Sequence, residues 1–324
     1  MILQSKFKPA YGLGNSHAQT LLPTFIRNKL KFSGVKQTLE LDDGDFLDLM
    51  WTEKPLNNKA IVIVFHGLEG SIESPYAKGI MLAIKKRGWT GLLMHFRGCS
   101  DRSNRLPRSY HSGETGDAKI LLGWLQKNFP DSPLAAVGFS LGGNMLLKLQ
   151  AELGRLSPFK AIVSVCAPLL LNVCADKLNK GFSRIYQRHL IGNLKRKLTV
   201  KADEHNYEKL IDLDSDKINK LNDFWQFDNM VTAPLHGFVD VKDYYARSSA
   251  RQYLKQINKP SLILLSLDDP FMTQDIIPKE TELSASTQLE ISKHGGHVGF
   301  ISGSALKPVF WLEERIPEYI SEFI

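Results

Sequence analysis

Short runs of almost unbroken apolar residues, separated by stretches of helical character, constrain this chain more than any other feature. They read IVIVF (Ile61 to Phe65), TGLLMHF (Thr90 to Phe96), LAAVGF (Leu134 to Phe139), AIVSVCA (Ala161 to Ala167), SLILLS (Ser261 to Ser266) and TQLEIS (Thr287 to Ser292). Continuous apolar strands with helices between them are the mark of a parallel sheet buried on both faces. The intervening YAKGIMLAIKKRG and GDAKILLGWLQKNF predict helices, the second with Ile120, Leu121, Trp124 and Leu125 on one buried face. Thr38 to Trp51, with DDGD in its middle, predicts an antiparallel hairpin, and LKPVFWLEERIPEYISEFI a final helix. From Leu171 to about Asp228 the strand signal fails and charged helical pieces take over. The expectation is one α/β domain spanning residues 1–324, with a mostly parallel sheet flanked by helices and a small helical cap at about 171–228. At 324 residues and 43% hydrophobic content, the chain has ample material for such a core.

The third of these strands runs straight into Gly138-Phe139-Ser140-Leu141-Gly142-Gly143, and NMLLKLQAEL then continues as a helix. GxSxG between a strand and a helix forces the serine into a strained turn, and the flanking glycines remove side chains that would collide there. Oγ of Ser140 is thereby exposed at the carboxyl edge of the sheet, where open α/β sheets place their sites. A serine so placed needs a base, an acid to orient it and donors for an oxyanion. After IVIVF comes His66-Gly67-Leu68-Glu69-Gly70, an HG-type loop that makes the main-chain N–H groups of Leu68 and Leu141 the expected oxyanion hole. Such a donor is worth about 3 to 4 kcal/mol in the transition state. His66 precedes the serine, the wrong chain order for the base, and reads as structural. SLILLS ends in Leu267-Asp268-Asp269-Pro270-Phe271, where one of the two carboxylates should face the histidine. TQLEIS is followed by Lys293-His294-Gly295-Gly296-His297-Val298-Gly299-Phe300, a glycine-rich loop able to bend His297 toward the serine. Ser140, Asp269 and His297 follow in the chain order of this kind of triad.

Lys plus Arg (41) exceed Asp plus Glu (34), a formal charge of +7 that raises the question of an anionic partner. The densest basic stretch is FSRIYQRHLIGNLKRKL (Phe182 to Leu198), expected as an amphipathic basic helix pair in the cap. Its apolar side would meet an acyl chain while its basic side makes transient contact with a membrane surface. No nucleic-acid-binding motif accompanies the charge, so no nucleic-acid partner is expected. Asp212, Asp214 and Asp216 imitate the start of a calcium loop, but Lys217 stands where glycine is required, and a helix start explains them better. The three cysteines, Cys99, Cys166 and Cys174, form no CxxC pair and are expected as buried apolar residues in a reducing compartment. No apolar run approaches membrane-span length and the N-terminus has no signal-peptide core, so a cytoplasmic location is expected.

At these residues the sequence resembles the α/β-hydrolase superfamily. More narrowly it is similar to the branch (AB hydrolase superfamily, family four) that groups animal ABHD-type lipases, bacterial YheT-type esterases and yeast ethyl ester synthases. The resemblance covers nearly the whole chain through GNSHAQTLLP (Gly14 to Pro23), HGLEG, FRGCS (Phe96 to Ser100), YHSGETGD (Tyr110 to Asp117), GFSLGGNML, APLHGFVDVKDYY (Ala233 to Tyr245), DDPF and GGHVGF. It implies an α/β-hydrolase fold and a carboxylic ester hydrolase that works without metal or other cofactor on small-molecule esters, with medium or long acyl chains among them. The implied residues are Ser140 as nucleophile, Asp269 as acid, with Asp268 the alternative, and His297 as base. Acyl transfer to an alcohol would use the same triad. A non-catalytic protein of this fold, binding membrane or nucleic acid, is the reading from another class. Arg97, Glu114, Asp117 and Asp240, inside these motifs, are read as ion-pair formers that pin loops near the site.

Overall fold

The computed structural model describes residues 1–27, 29–304 and 306–324. In chain order the elements are β1 (Ile2–Gln4), α1 (Ser16–Ile26), β2 (Val35–Glu40), β3 (Phe46–Trp51), β4 (Ile61–Phe65), α2 (Pro75–Lys86), β5 (Thr90–Met94), α3 (Gly116–Asn128), β6 (Leu134–Phe139), α4 (Leu141–Leu153) and β7 (Phe159–Val165). They continue through α5 (Leu171–Leu178), α6 (Ser183–Ala202), α7 (Tyr207–Ile211), α8 (Ser215–Lys220), α9 (Phe224–Phe227), a π-helical turn at Asp228–Thr232, α10 (Ala233–Leu235) and α11 (Val241–Ser248). Last come β8 (Ser261–Ser266), β9 (Thr287–Ser292), β10 (Ile301–Gly303), β11 (Pro308–Phe310) and α12 (Leu312–Ile320).

The 9-stranded sheet has the order β1-β9-β8-β7-β6-β4-β5-β3-β2. Strands β1 to β5 in this order pair in parallel, and β3 and β2 close the far edge as the expected antiparallel hairpin. Every residue of β4, β5, β6 and β8 is buried, which is why these runs carry no polar alternation. Each fully buried Ile, Val, Leu or Phe stabilises the fold by about 1.5–3 kcal/mol relative to exposure. From β4 the chain steps to β5 on one side and then returns to β6 on the other. The loops after β4 and β6 therefore part at a topological switch point and leave a crevice at their carboxyl ends. HGLEG and GFSLGG are those two loops.

Several sequence expectations are corrected. On α3 the buried face is Ala118, Leu121, Leu122 and Leu125, while Ile120 is exposed, because the helix meets the sheet one position further round. The basic stretch forms one continuous helix, α6, rather than a pair, since Gly192 and Asn193 do not break it. The final helix begins only at Leu312, because Pro308–Phe310 instead pair antiparallel with Ile301–Gly303. β1 adds a strand the sequence did not reveal, for three residues show no legible pattern. Between β7 and β8 the helices run on past Asp228 to Ser248, around an apolar cluster of their own that includes Ile191, Leu198, Tyr207, Phe227 and Val231. Among the described residues, no helix is long and apolar enough to cross a membrane.

Candidate active site

Ser140 sits between β6 and α4 with φ 50° and ψ −117°, a backbone conformation that L-residues hold only when the surroundings enforce it. Its N–H donates to Val165 O at 2.8 Å, which fixes the turn against the neighbouring strand. A Cβ on Gly142 would collide with the main-chain carbonyls of Phe65 and His66, and one on Gly138 with the carbonyl of Gly142. The glycines of GxSxG are thus required by close approach of backbone to backbone, which lets β4, the elbow and α4 share one corner.

The loop after β4 shares that corner. Gly70 N–H donates to Gly67 O at 2.9 Å, closing a turn with Leu68 and Glu69 at its tip, Glu69 at φ 55°. No acceptor among the described residues takes the N–H of Leu68 or Leu141, and both residues line the cavity that Ser140 lines. His66 is fully buried and does other work. Its Nε2 accepts from Phe96 N–H at 3.1 Å, so the proton sits on Nδ1, which donates to Gly67 O at 2.7 Å. Burial drives its pKa down to about 3, and it stays neutral as a loop strut.

Two adjacent aspartates at the end of β8 have separate partners. Asp269 Oδ2 lies 2.8 Å from His297 Nδ1, and its Oδ1 accepts from Phe271 N–H at 2.8 Å. Phe271 stacks on the His297 ring at 4.0 Å with planes 4° apart. With Nδ1 donating to a carboxylate, Nε2 of neutral His297 is left as an acceptor, and His297 lines the same cavity as Ser140. Asp268 instead accepts from Gly296 N–H at 3.0 Å and lies 3.5 Å from His294 Nδ1. It braces the loop that carries His297.

The role of GNSHAQTLLP, opaque in sequence, is to hold that loop from below. Thr20 Oγ1 accepts from His297 N–H at 2.9 Å. Gln19, wholly buried on α1, accepts from Ile301 N–H at 2.6 Å and donates to Leu13 O and Ile301 O at 2.8 and 3.0 Å. A glutamine one turn into an apolar helix is the only signal that could have pointed to this. Around FRGCS, Arg97 is buried in a bidentate pair with Asp117 (2.8 and 2.6 Å) and also reaches Asp43 and Asp45 at 2.8 and 3.1 Å. Glu114 pairs with Arg108 at 3.1 Å. Asp240 forms no ion pair among the described residues: it caps α11, accepting from Asp243 N–H at 2.8 Å. Asp214 likewise caps α8, accepting from Lys217 N–H.

Above the elbow lies a cavity that opens to solvent. The helices between β7 and β8 line it with Leu171, Leu178, Leu190, Leu194, Phe227 and Val231. Lys197 reaches down from α6 to Glu69, 2.9 Å from Oε2. Tyr110 OH donates to Glu69 Oε1 at 2.9 Å and accepts from Glu69 N–H at 2.8 Å. Burial works against the Lys197 charge, but negative neighbours including Glu69 outweigh it, so its pKa is raised. Lys201 is buried among neutral acceptors, Asn104 Oδ1 at 2.8 Å and the carbonyls of Leu106, Pro107 and Arg108, and burial lowers its pKa to about 8. Asp228, in the π-helical turn, accepts from Thr232 and Tyr245 hydroxyls at 2.7 and 2.8 Å, and burial lifts it to about 6. His111, Glu114 and His236 come close enough to suggest a metal. His111 Nδ1, however, accepts from Gly113 N–H at 3.1 Å, so the proton of the neutral ring is on Nε2, 3.6 Å from Glu114. Glu114 is itself engaged, accepting from Arg108 at 3.1 Å and from Gly116 N–H at 3.0 Å, so the group is already partnered within the protein. All three cysteines are buried and free, and burial raises each thiol pKa.

These features define a class. A family model for the alpha/beta hydrolase fold matches residues 60–304, and the chain belongs to that family. Within it the chain is of the YheT type: it is 46% identical over 322 residues to the Escherichia coli (strain K12) protein named "Putative esterase YheT", covering 99% of this chain and 94% of that one. It is also 24% identical to the phospholipase ABHD3 of Bos taurus, over 100% of this chain and 80% of that protein. Among solved structures, an esterase of Pyrococcus furiosus superposes with a TM-score of 0.56 at 16% identity, over 91% of this chain and 94% of that one, a likeness of fold.

Proposed function

We propose that this protein is a serine carboxylic ester hydrolase of lipase-like type, with Ser140, His297 and Asp269 as its triad. The observation that carries the reading is the Asp269–His297 pair, 2.8 Å apart, whose histidine lines one cavity with a strained serine and two unclaimed amides. Asp269 holds Nδ1–H of His297, so Nε2 takes the proton of Ser140 as Oγ attacks the ester carbonyl. The N–H groups of Leu68 and Leu141 hold the oxyanion. His297 then gives the proton to the departing alkoxide, and a water activated by the same nitrogen releases the acid from the acyl-enzyme. Helices α5 to α9 act as a cap, and their leucines support a medium- or long-chain acyl group as the part of the substrate they cover. The names of the relatives, esterase and phospholipase, point the same way. Free buried thiols suit a reducing, cytoplasmic setting.

Initial rates on p-nitrophenyl esters of increasing chain length test the proposal. Wild type should hydrolyse them and Ser140→Ala should not; equal background rates for the two on every ester would overturn it. An alcohol acyltransferase would use the same triad, and ethyl ester formed in the presence of ethanol would reveal it. A non-catalytic protein of this fold would fail to take up a fluorophosphonate probe at Ser140.

A further inference from the structure

We propose that the exposed apolar face shared by α1 and the start of α6 docks on an anionic lipid bilayer. On the side of α1 that begins at His17, Leu21 and Phe25 are exposed at 39% and 69%, and at the start of α6 Phe182 and Ile185 are exposed at 49% and 53%. His17 joins the two helices. Its Nδ1 is 2.9 Å from Tyr186 OH, and its ring centroid is 4.3 Å from that of Phe182. Leu21 and Phe25 follow His17 at four-residue intervals on α1, so they continue the face that begins at this contact. Single exposed apolar residues are commonplace, but two exposed aromatic rings with exposed aliphatic side chains beside them, on two elements joined through His17, are not.

The charge of the same surface selects the occupant. Neither α1 nor α6 contains an acidic residue. Arg184 and Arg188 are exposed beside Phe182 and Ile185 and make no ion pair among the described residues, and exposed Lys29 and Lys31 follow α1. Apolar rings flanked by unpaired guanidinium and ammonium groups fit a bilayer interface, where the rings enter the acyl boundary and the cations meet lipid phosphates. A nucleic acid would use the cations and leave Phe25, Phe182 and Ile185 in water. The basic run further along α6 is not this surface: Lys195 bonds to the carbonyls of Asn219 and Leu221, while Lys197 and Lys201 turn into the cavity. The patch lies close to the chemistry. Tyr186, behind Phe182, packs on Phe271 at 4.9 Å, and Phe271 stacks on His297. A bilayer seated there would present ester lipid beside the base.

Flotation or co-sedimentation with vesicles of phosphatidylcholine containing phosphatidylglycerol, against phosphatidylcholine alone, tests this with the full chain. The wild-type protein should partition onto the anionic vesicles, less so as salt rises. R184E/R188E should lower the partition at least roughly thirty-fold, the effect expected from losing two basic residues at a membrane surface before the repulsion of the added carboxylates is counted. F25S/I185S should lower it comparably while leaving hydrolysis of a soluble short-chain ester and the circular dichroism spectrum unchanged. K127E/K160E removes the same charge from exposed positions elsewhere and should bind as wild type does. Equal loss in that control, or wild-type binding no stronger to anionic than to neutral vesicles, would overturn the proposal. Ser140→Ala should bind like wild type, so a failure of the hydrolase reading would leave the docking result standing.

Discussion

The sheet-edge floor of the cavity is set by main-chain contact, whereas its helical roof is held by side chains reaching down. In the floor, Ser140, Gly142 and the carbonyls of Phe65 and His66 share space that admits no further atom, and His66, Gln19 and Asp268 are each committed to a backbone group. The roof has its own apolar cluster and meets the floor through polar pins, Lys197 to Glu69 and Lys201 to the loop at residues 104–108. The difference teaches where each property resides. Backbone packing leaves the proposed chemistry little tolerance, while a side-chain-pinned roof can change the chain it covers without disturbing the reaction.

The sharpest test of the floor separates two neighbours of identical chemistry. Asp269→Asn should cut kcat on a short ester by about 10³- to 10⁴-fold, because the wrong tautomer of His297 would then be favoured. Asp268→Asn should cost less than about tenfold, since its hydrogen bond from Gly296 can be kept by an amide oxygen. Comparable losses from both would erase the distinction between them.

In the roof, Asp228 tests whether buried polarity carries a stability cost there. Its folded pKa of about 6 lies above the ordinary aspartate value of 3.8, so folding favours the protonated acid. Stability contributed by that proton is present below the unfolded pKa and is lost as pH rises through the window between the two values. Asp228→Asn should therefore improve urea stability more at pH 8 than at pH 4, by a difference of up to about 3 kcal/mol. A pH-independent effect would show that the roof does not strain this carboxyl.

Where the two regions join, Lys197→Met should lower kcat about tenfold, with little change in KM for a short ester. The Leu68 turn would lose its anchor from above while the acyl pocket keeps its shape. Lys197→Arg should recover most of the rate. A change confined to KM would assign the pair to substrate binding instead.

The floor was largely legible in the sequence. Its strands are continuous apolar runs, its turns carry glycines at fixed offsets, and its acid and histidine loops follow in order. Each of those signals is local. What was missed there, the clamp of Gln19 and Thr20 on the histidine loop, joins residues more than two hundred positions apart, and nothing near Gln19 marks its partner. The roof was legible only as an absence of strands. Its helix α6 was expected as a pair with a basic outer side, yet Lys195, Lys197 and Lys201 turn inward, because Glu69 and a set of free carbonyls lie beneath them. Periodicity identifies an apolar face but does not say which lysines find acceptors.

The sequence by itself determined the parallel sheet, its switch point and the strained serine turn, because burial on both faces and steric exclusion act on neighbouring residues. Only the tertiary structure decided that Asp269 and not Asp268 meets His297, that Arg97 gathers three aspartates, and that Lys195, Lys197 and Lys201 find acceptors while Arg184 and Arg188 stay exposed. Those outcomes depend on which distant groups are brought within hydrogen-bonding range, and that follows from how the layers pack.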